Sequence, residues 1–192
     1  MPALAQEVLP PDVLVKNVTL EVIDLIAKDK EIKAGSRAKL IQLIEAKVLP
    51  HFSFASMTAL AMGQGWNKAT PEQKIRLTEE FKYLLVRTYA SALSAYSEQK
   101  FDFRPLRAKP TDTDVTVQVR VLQSGAQPVS IDYSMEKTAA NWKVYDVMVG
   151  GVSLVVNYRT EFANSVRNSG IDGLIKELHT KNQGLEAAAG KK

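Results

Sequence analysis

The stretch Val115-Thr116-Val117-Gln118-Val119-Arg120-Val121 puts an apolar side chain at every second position, and Val129-Ser130-Ile131-Asp132-Tyr133-Ser134-Met135 repeats the pattern beyond a turn that contains Gly125. Successive side chains of a strand point to opposite faces, so this period of two predicts two half-buried strands, each with one dry face, joined as an antiparallel pair. A third strand is expected over Trp142 to Val149, after the Ala139-Ala140-Asn141 turn. Its parity is ambiguous, because Trp142 and Val144 point one way while Tyr145, Val147 and Val149 point the other.

Before Pro105 the period is that of a helix. Leu14, Val15, Val18, Val22, Leu25 and Ile26 share one helical face after Pro10-Pro11, and Gly35 with Ser36 closes the following loop. Leu40, Leu43, Ile44 and Val48 form a second face that Pro50 stops, and Ser53 opens a short helix ending at Gly63-Gln64-Gly65. In Thr70-Pro71-Glu72-Gln73, Thr70 suits a helix cap, Pro71 the first helical position and Gln73 the reciprocal partner of a capping box. A long helix is expected to follow, with Leu77, Phe81, Leu84, Leu85, Tyr89, Ala92, Leu93 and Tyr96 inward. Beyond Gly150-Gly151 the helical period returns in Leu154, Val155, Tyr158, Phe162 and Val166 up to Gly170, and a last short helix carries Leu174, Ile175 and Leu178. Residues 8–180 are expected to form a single domain, and residues 181–192, with Gly184, Gly190 and Lys191-Lys192, a mobile tail.

Helices, then a meander, then helices again describe an α+β fold in which a curved antiparallel sheet is covered on one face by helices. Such a cone, closed by a long helix and built of Val, Leu, Phe and Tyr, leaves room for an apolar cavity in place of a filled core. The candidate wall is Val117, Val119, Tyr133 and Met135 on the sheet, with Phe81, Leu85 and Tyr89 at helical spacing opposite. Val144 and Val147 of the third strand, and Val152, Leu154 and Tyr158 after it, complete the set.

Composition narrows the function. Of 192 residues, 45% are hydrophobic and 24% charged, ordinary for a folded domain, and no apolar run approaches the length of a bilayer span. The chain has no cysteine, which excludes disulfides, thiolate nucleophiles and thiolate metal sites. His51 and His179 lie in different segments without acidic neighbours at triad or metal spacing, so no metal site is expected. Gly63-Gln64-Gly65 follows a helix and lacks the Gly-Lys-Ser/Thr of a phosphate loop. A net charge of +4, with Lys28, Lys30, Lys33, Lys39 and Lys47 grouped together, admits solvated helix faces or a patch for anionic headgroups; there is no dense Arg cluster or aromatic run for nucleic acid. Asp146 sits in an apolar strand and has two readings, a general base or a structural acceptor paired with Arg159 or with backbone donors near Gly150-Gly151. The enzymatic alternative is a small isomerase or hydrolase with Asp146 as base and Tyr89 or Tyr133 as donor; a further alternative is a non-lipid periplasmic adaptor. Ala3-Leu4-Ala5 before Gln6 resembles the small-residue end of a secretory signal, so a mature exported protein is expected.

Trp142-Lys143-Val144-Tyr145-Asp146-Val147, then Gly151-Val152-Ser153-Leu154, then Asn157-Tyr158-Arg159 and Phe162, resemble in order and spacing the C-terminal signature of the MlaC, or toluene-tolerance, family. Val48-Leu49-Pro50-His51-Phe52, Trp66 before Ala69-Thr70, Thr88-Tyr89-Ala90 and Gly170-Ile171-Asp172-Gly173-Leu174-Ile175 extend the resemblance from about Leu9 to Leu178. It implies a nuclear-transport-factor-like cone with extra N-terminal helices. The implied function is that of a monomeric, non-enzymatic periplasmic carrier in Gram-negative bacteria, without a cofactor and with phospholipid as cargo. Its implied partners are an outer-membrane lipoprotein complex and an inner-membrane ABC transporter complex of the Mla pathway, and its implied role is to maintain outer-membrane lipid asymmetry.

Overall fold

The computed structural model describes residues 8–95 and 98–189. The expectations for Ala3-Leu4-Ala5, Tyr96 and Gly190-Lys191-Lys192 lie outside these residues. Five strands, β1 (Lys100–Phe103), β2 (Asp114–Leu122), β3 (Val129–Lys137), β4 (Trp142–Val149) and β5 (Val152–Ser153), form an antiparallel meander in sequence order. On β2 the four valines at 115, 117, 119 and 121 are buried and the residues between them exposed, as the alternation predicts. Val115 pairs with Met135, Val117 with Tyr133 and Val119 with Ile131, so these residues share the inner face.

The register explains the mixed parity of β4. Met135 pairs with Val144 and Ser134 with Asp146, which leaves Tyr145 as an extra residue. This bulge shifts the phase of the strand by one residue. Val147 and Val149, opposite Tyr133 and Ile131, thereby return to the face occupied by Val144.

Among the described residues seven α-helices, α1 (Pro11–Lys28), α2 (Lys30–Lys33), α3 (Arg37–Lys47), α4 (Phe54–Met62), α5 (Gly65–Lys68), α6 (Pro71–Ala95) and α7 (Arg159–Ala189), accompany the sheet, with single 3-10 turns at Leu49–His51 and Val156–Tyr158. Asp29 separates α1 from α2 by turning extended, and its carboxylate accepts the Glu31 and Ile32 amides at 2.8 and 3.0 Å. At the start of α6 the capping box is reciprocal: the Gln73 amide donates to Thr70 Oγ1 at 3.2 Å and the Thr70 amide to Gln73 Oε1 at 3.0 Å. Helix α7 is kinked at Gly170, where φ is 72°, a value that L side chains avoid.

The expected tail is not one over residues 181–189. Helix α7 continues to Ala189, Asn182 is buried, and its Nδ2 donates to the main-chain carbonyl and the carboxylate of Glu80 on α6, both at 2.8 Å. Leu174, Leu178, Asn182 and Leu185 lie at helical spacing, so the segment extends the packed face that the sequence analysis ended at Leu178.

Apolar burial is divided among three clusters. One joins α4, α6 and α7 around Phe81, Phe162 and Leu174; one joins α1 to the inner sheet face around Val117, Val119 and Met135; one joins α1, α3 and α6 around Ile26, Ile44 and Ala90. No helix among the described residues is long and apolar enough to cross a membrane.

Candidate functional site

Where the three clusters meet they do not fuse, and a cavity of about 350 Å³ remains between α1, α3, α6 and the inner face of β3 and β4. That volume falls in the usual range of small-molecule sites, about 300 to 1,000 Å³. Helix α1 lines it with Leu14, Val15, Val18, Thr19, Val22 and Ile23, and α6 with Leu85, Val86, Tyr89, Ala90, Ala92 and Leu93. The sheet supplies Ile131, Tyr133, Met135, Val144, Val147 and Val149, with Phe101 from β1. Leu49, His51 and Phe52 close it from the segment leading into α4, and Phe54 and Met57 from α4 itself. Ala92 is exposed while lining the cavity, which places an opening near the C-terminal end of α6. A larger depression of about 600 Å³ lies beside β2, but Arg104, Arg107, Asp112, Asp114, Thr116 and Gln118 make it a polar surface groove.

Four side chains interrupt the apolar wall: Thr19, His51, Tyr89 and Tyr133. Burial holds the His51 imidazolium below its ordinary pKa, Lys143 adds to the effect, and Glu21 partly offsets it. Tyr89 is pushed up to about 12, first by burial and then by Tyr158, which shares a hydrogen bond with it. Tyr133 is also pushed up to about 12 by burial, partly offset by a hydrogen bond with Thr19. Both phenols are therefore neutral at ordinary pH. No cluster of His, Cys, Asp or Glu suited to a metal occurs among the described residues.

The model of the family described as MlaC protein matches residues 16–180. The chain belongs to the MlaC family. It is 30% identical over 125 residues to the toluene tolerance protein ttg2D of Pseudomonas putida, an alignment covering 62% of this chain and 58% of that protein, less than two thirds of its length. It is 24% identical over 158 residues to the intermembrane phospholipid transport system binding protein MlaC of Haemophilus influenzae, covering 81% of this chain and 73% of that protein. Among solved structures, a phospholipid-binding protein from Ralstonia solanacearum in complex with a phospholipid superposes with a TM-score of 0.84 at 36% identity, covering 93% of this chain and 99% of the other.

Within this MlaC-family fold, Leu85, Tyr89, Tyr133, Met135, Val144, Val147 and Leu154 of the expected wall line the cavity. Five other residues do not. Val117 and Val119 face inward but are covered by the N-terminal half of α1, in the cluster that holds Leu14 and Val15. Phe81 is fully buried one helical turn before Leu85, its ring 5.2 Å from Tyr158 and 5.1 Å from Phe162 in edge-to-face contacts. Tyr158 stays in that helical cluster and reaches the cavity only through its bond to Tyr89. Val152, on β5, is 56% exposed. The sequence analysis missed the contributions of α1 and α3. Their apolar periodicity was visible, but a helix face looks the same in sequence whether it meets a core or a void.

Asp146 is buried and does not line the cavity. Its Oδ1 accepts the Val147 amide and the Ser153 hydroxyl, both at 2.8 Å, and Ser153 Oγ in turn accepts the Val155 and Val156 amides at 3.2 and 2.8 Å. Its partners are thus the neighbouring amide and the Ser153 hydroxyl rather than donors of the Gly150-Gly151 turn or Arg159, whose guanidinium donates instead to the Leu60 carbonyl at 3.2 and 2.7 Å. The lysine group is also largely paired: Lys28 with Asp24 at 2.7 Å, Lys39 with Glu31 at 3.8 Å and Lys47 with Glu21 at 2.6 Å.

Proposed function

We propose that this chain is a monomeric periplasmic carrier that encloses phospholipid acyl tails in the cavity, leaves the headgroup in water, and performs no chemistry. The observation that carries the reading is the cavity itself, about 350 Å³ with an almost wholly apolar wall. A concave apolar surface of this size is one that folding ordinarily removes from water, at roughly 25 cal/mol per Å². It is readily explained if an apolar occupant covers it.

The energetics suit transfer. Exposing one acyl tail to water costs on the order of 10 kcal/mol at ~0.8 kcal/mol per methylene, so a lipid does not cross an aqueous gap unaided. An apolar wall recovers that energy to about the same extent as a bilayer interior does, which leaves exchange in either direction close to balanced. The names of the Haemophilus and Ralstonia relatives support phospholipid as cargo. We place the chain between the outer-membrane lipoprotein complex and the inner-membrane ABC transporter complex of the Mla pathway. The position of Asp146 outside the cavity wall disfavours the isomerase or hydrolase alternative.

The test is solvent extraction and native mass spectrometry of protein purified without detergent. Retained phospholipid in stoichiometric amount is expected. Protein that holds none, and acquires none from phospholipid vesicles, refutes the reading.

A further inference from the structure

Two tyrosines face the cavity, and their hydroxyls are placed differently. Tyr89 shares its hydrogen bond with Tyr158, which stands outside the wall. Tyr133 shares its hydrogen bond with Thr19, and both of these residues line the cavity, one from β3 and one from α1. On the inner face Tyr133 is flanked by Val117 and Val147 across the strands and by Ile131 and Met135 along its own. All four are apolar.

A pair of hydroxyls holds two protons and uses one in the mutual bond. Whichever of the two donates, the other keeps an O–H. Among the described residues no other group is hydrogen-bonded to either hydroxyl, so the second proton is left for whatever occupies the cavity that both residues line. An unmet donor in such surroundings is costly, and Tyr hydroxyls in protein interiors usually have a partner. The enclosed space in front of the pair is where the cargo would lie. Of the parts of an acyl lipid that enter an apolar cavity, the carbonyl oxygen at the head of each tail is the one that accepts a hydrogen bond.

We propose that the Thr19–Tyr133 pair is a specificity site that donates a hydrogen bond to an ester carbonyl of the bound lipid and so favours ester-linked over ether-linked tails. This rests on the carrier reading and adds to it a subsite with a defined chemistry. The apolar wall alone treats the two linkages nearly alike, since an ether differs chiefly in lacking the carbonyl acceptor.

The experiment is competition for the delipidated full-length protein between dipalmitoyl phosphatidylglycerol and its dihexadecyl ether analogue, with the bound ratio read by native mass spectrometry. The parent protein should favour the diester by about two- to tenfold, the range expected for one net hydrogen bond. The preference should fall in Tyr133→Phe and vanish when Thr19→Val is added. Both changes keep side-chain volume, and removing both partners of a pair in apolar surroundings is nearly neutral for stability. Should the double variant not fold, Tyr133→Phe alone decides. A parent with no preference, or variants that keep it, overturns the proposal while leaving the carrier reading intact. A parent that takes up neither lipid refutes the carrier reading, and the proposal falls with it.

Discussion

Leu85→Trp separates a tail-binding wall from an ordinary core by the sign of its effects. Leu85 is 6% exposed on the inner face of α6 and borders a cavity of about 350 Å³. An indole adds roughly 60 Å³ over leucine, and filling that much cavity at ~24 cal/mol per Å³ stabilises the lipid-free protein by about 1.5 kcal/mol. For a chain of this length that raises Tm by about 4 °C. The same volume is taken from the tail. Displacing roughly two methylenes from the cavity costs about 1.6 kcal/mol of lipid binding, or about 15-fold in affinity. The assay pairs thermal unfolding of delipidated protein with the lipid-to-protein ratio after solvent extraction. In a filled core the same substitution lowers stability by about 1 to 3 kcal/mol through overpacking. A folded variant with a lowered Tm and the parent's lipid load refutes the assignment of this face.

Further outcomes follow from other contacts. Asp146→Asn weakens the bonds from the Val147 amide and the Ser153 hydroxyl and should cost about 1 to 2 kcal/mol in denaturant unfolding, with lipid affinity unchanged once corrected for the folded fraction. Ending the chain at Lys181 removes both Asn182 bonds to Glu80 and the packing of Leu185, and should lower stability by about 2 kcal/mol without reducing the lipid load. Tyr89 and Tyr133 are held at about 12 against an ordinary 10.0, so the unfolded chain releases their protons first. Their contribution to stability is complete below pH 10 and lost as the pH rises through about 12; unfolding followed across that range should show the decline, with a smaller one in Tyr133→Phe.

The fold was legible because its decisive signals are local. The alternation on β2 and β3 and the Thr70–Gln73 capping box each fix an element without reference to the rest of the chain. What was not legible depends on which element arrives opposite. Val117 and Tyr133 are cross-strand neighbours on one face, yet α1 covers the first and leaves the second open to the cavity. Phe81 and Leu85 are one turn apart on α6, yet one meets α7 and the other the void. Composition misled at the C-terminus, where glycine and lysine suggested a tail and a single buried amide, Asn182, docks the helix on α6. The Thr19–Tyr133 pair left no local trace, since its members come from the first helix and the third strand.

Tyr145 acts as a one-residue frameshift within β4. Upstream of it the dry side of the strand carries Val144, and downstream it carries Val147 and Val149, so two runs of opposite parity are spliced into one continuous wall. Deleting that residue would leave Val144, Asp146 and Val147 in plain alternation, with Val147 and Val149 still opposite Tyr133 and Ile131. If Tyr145 were instead drawn into the regular ladder, Val147 and Val149 would face outward and the Asp146 carboxylate away from the Ser153 hydroxyl. The shape of the interior thus depends on where this strand sets its extra residue aside as much as on the chemistry of its side chains.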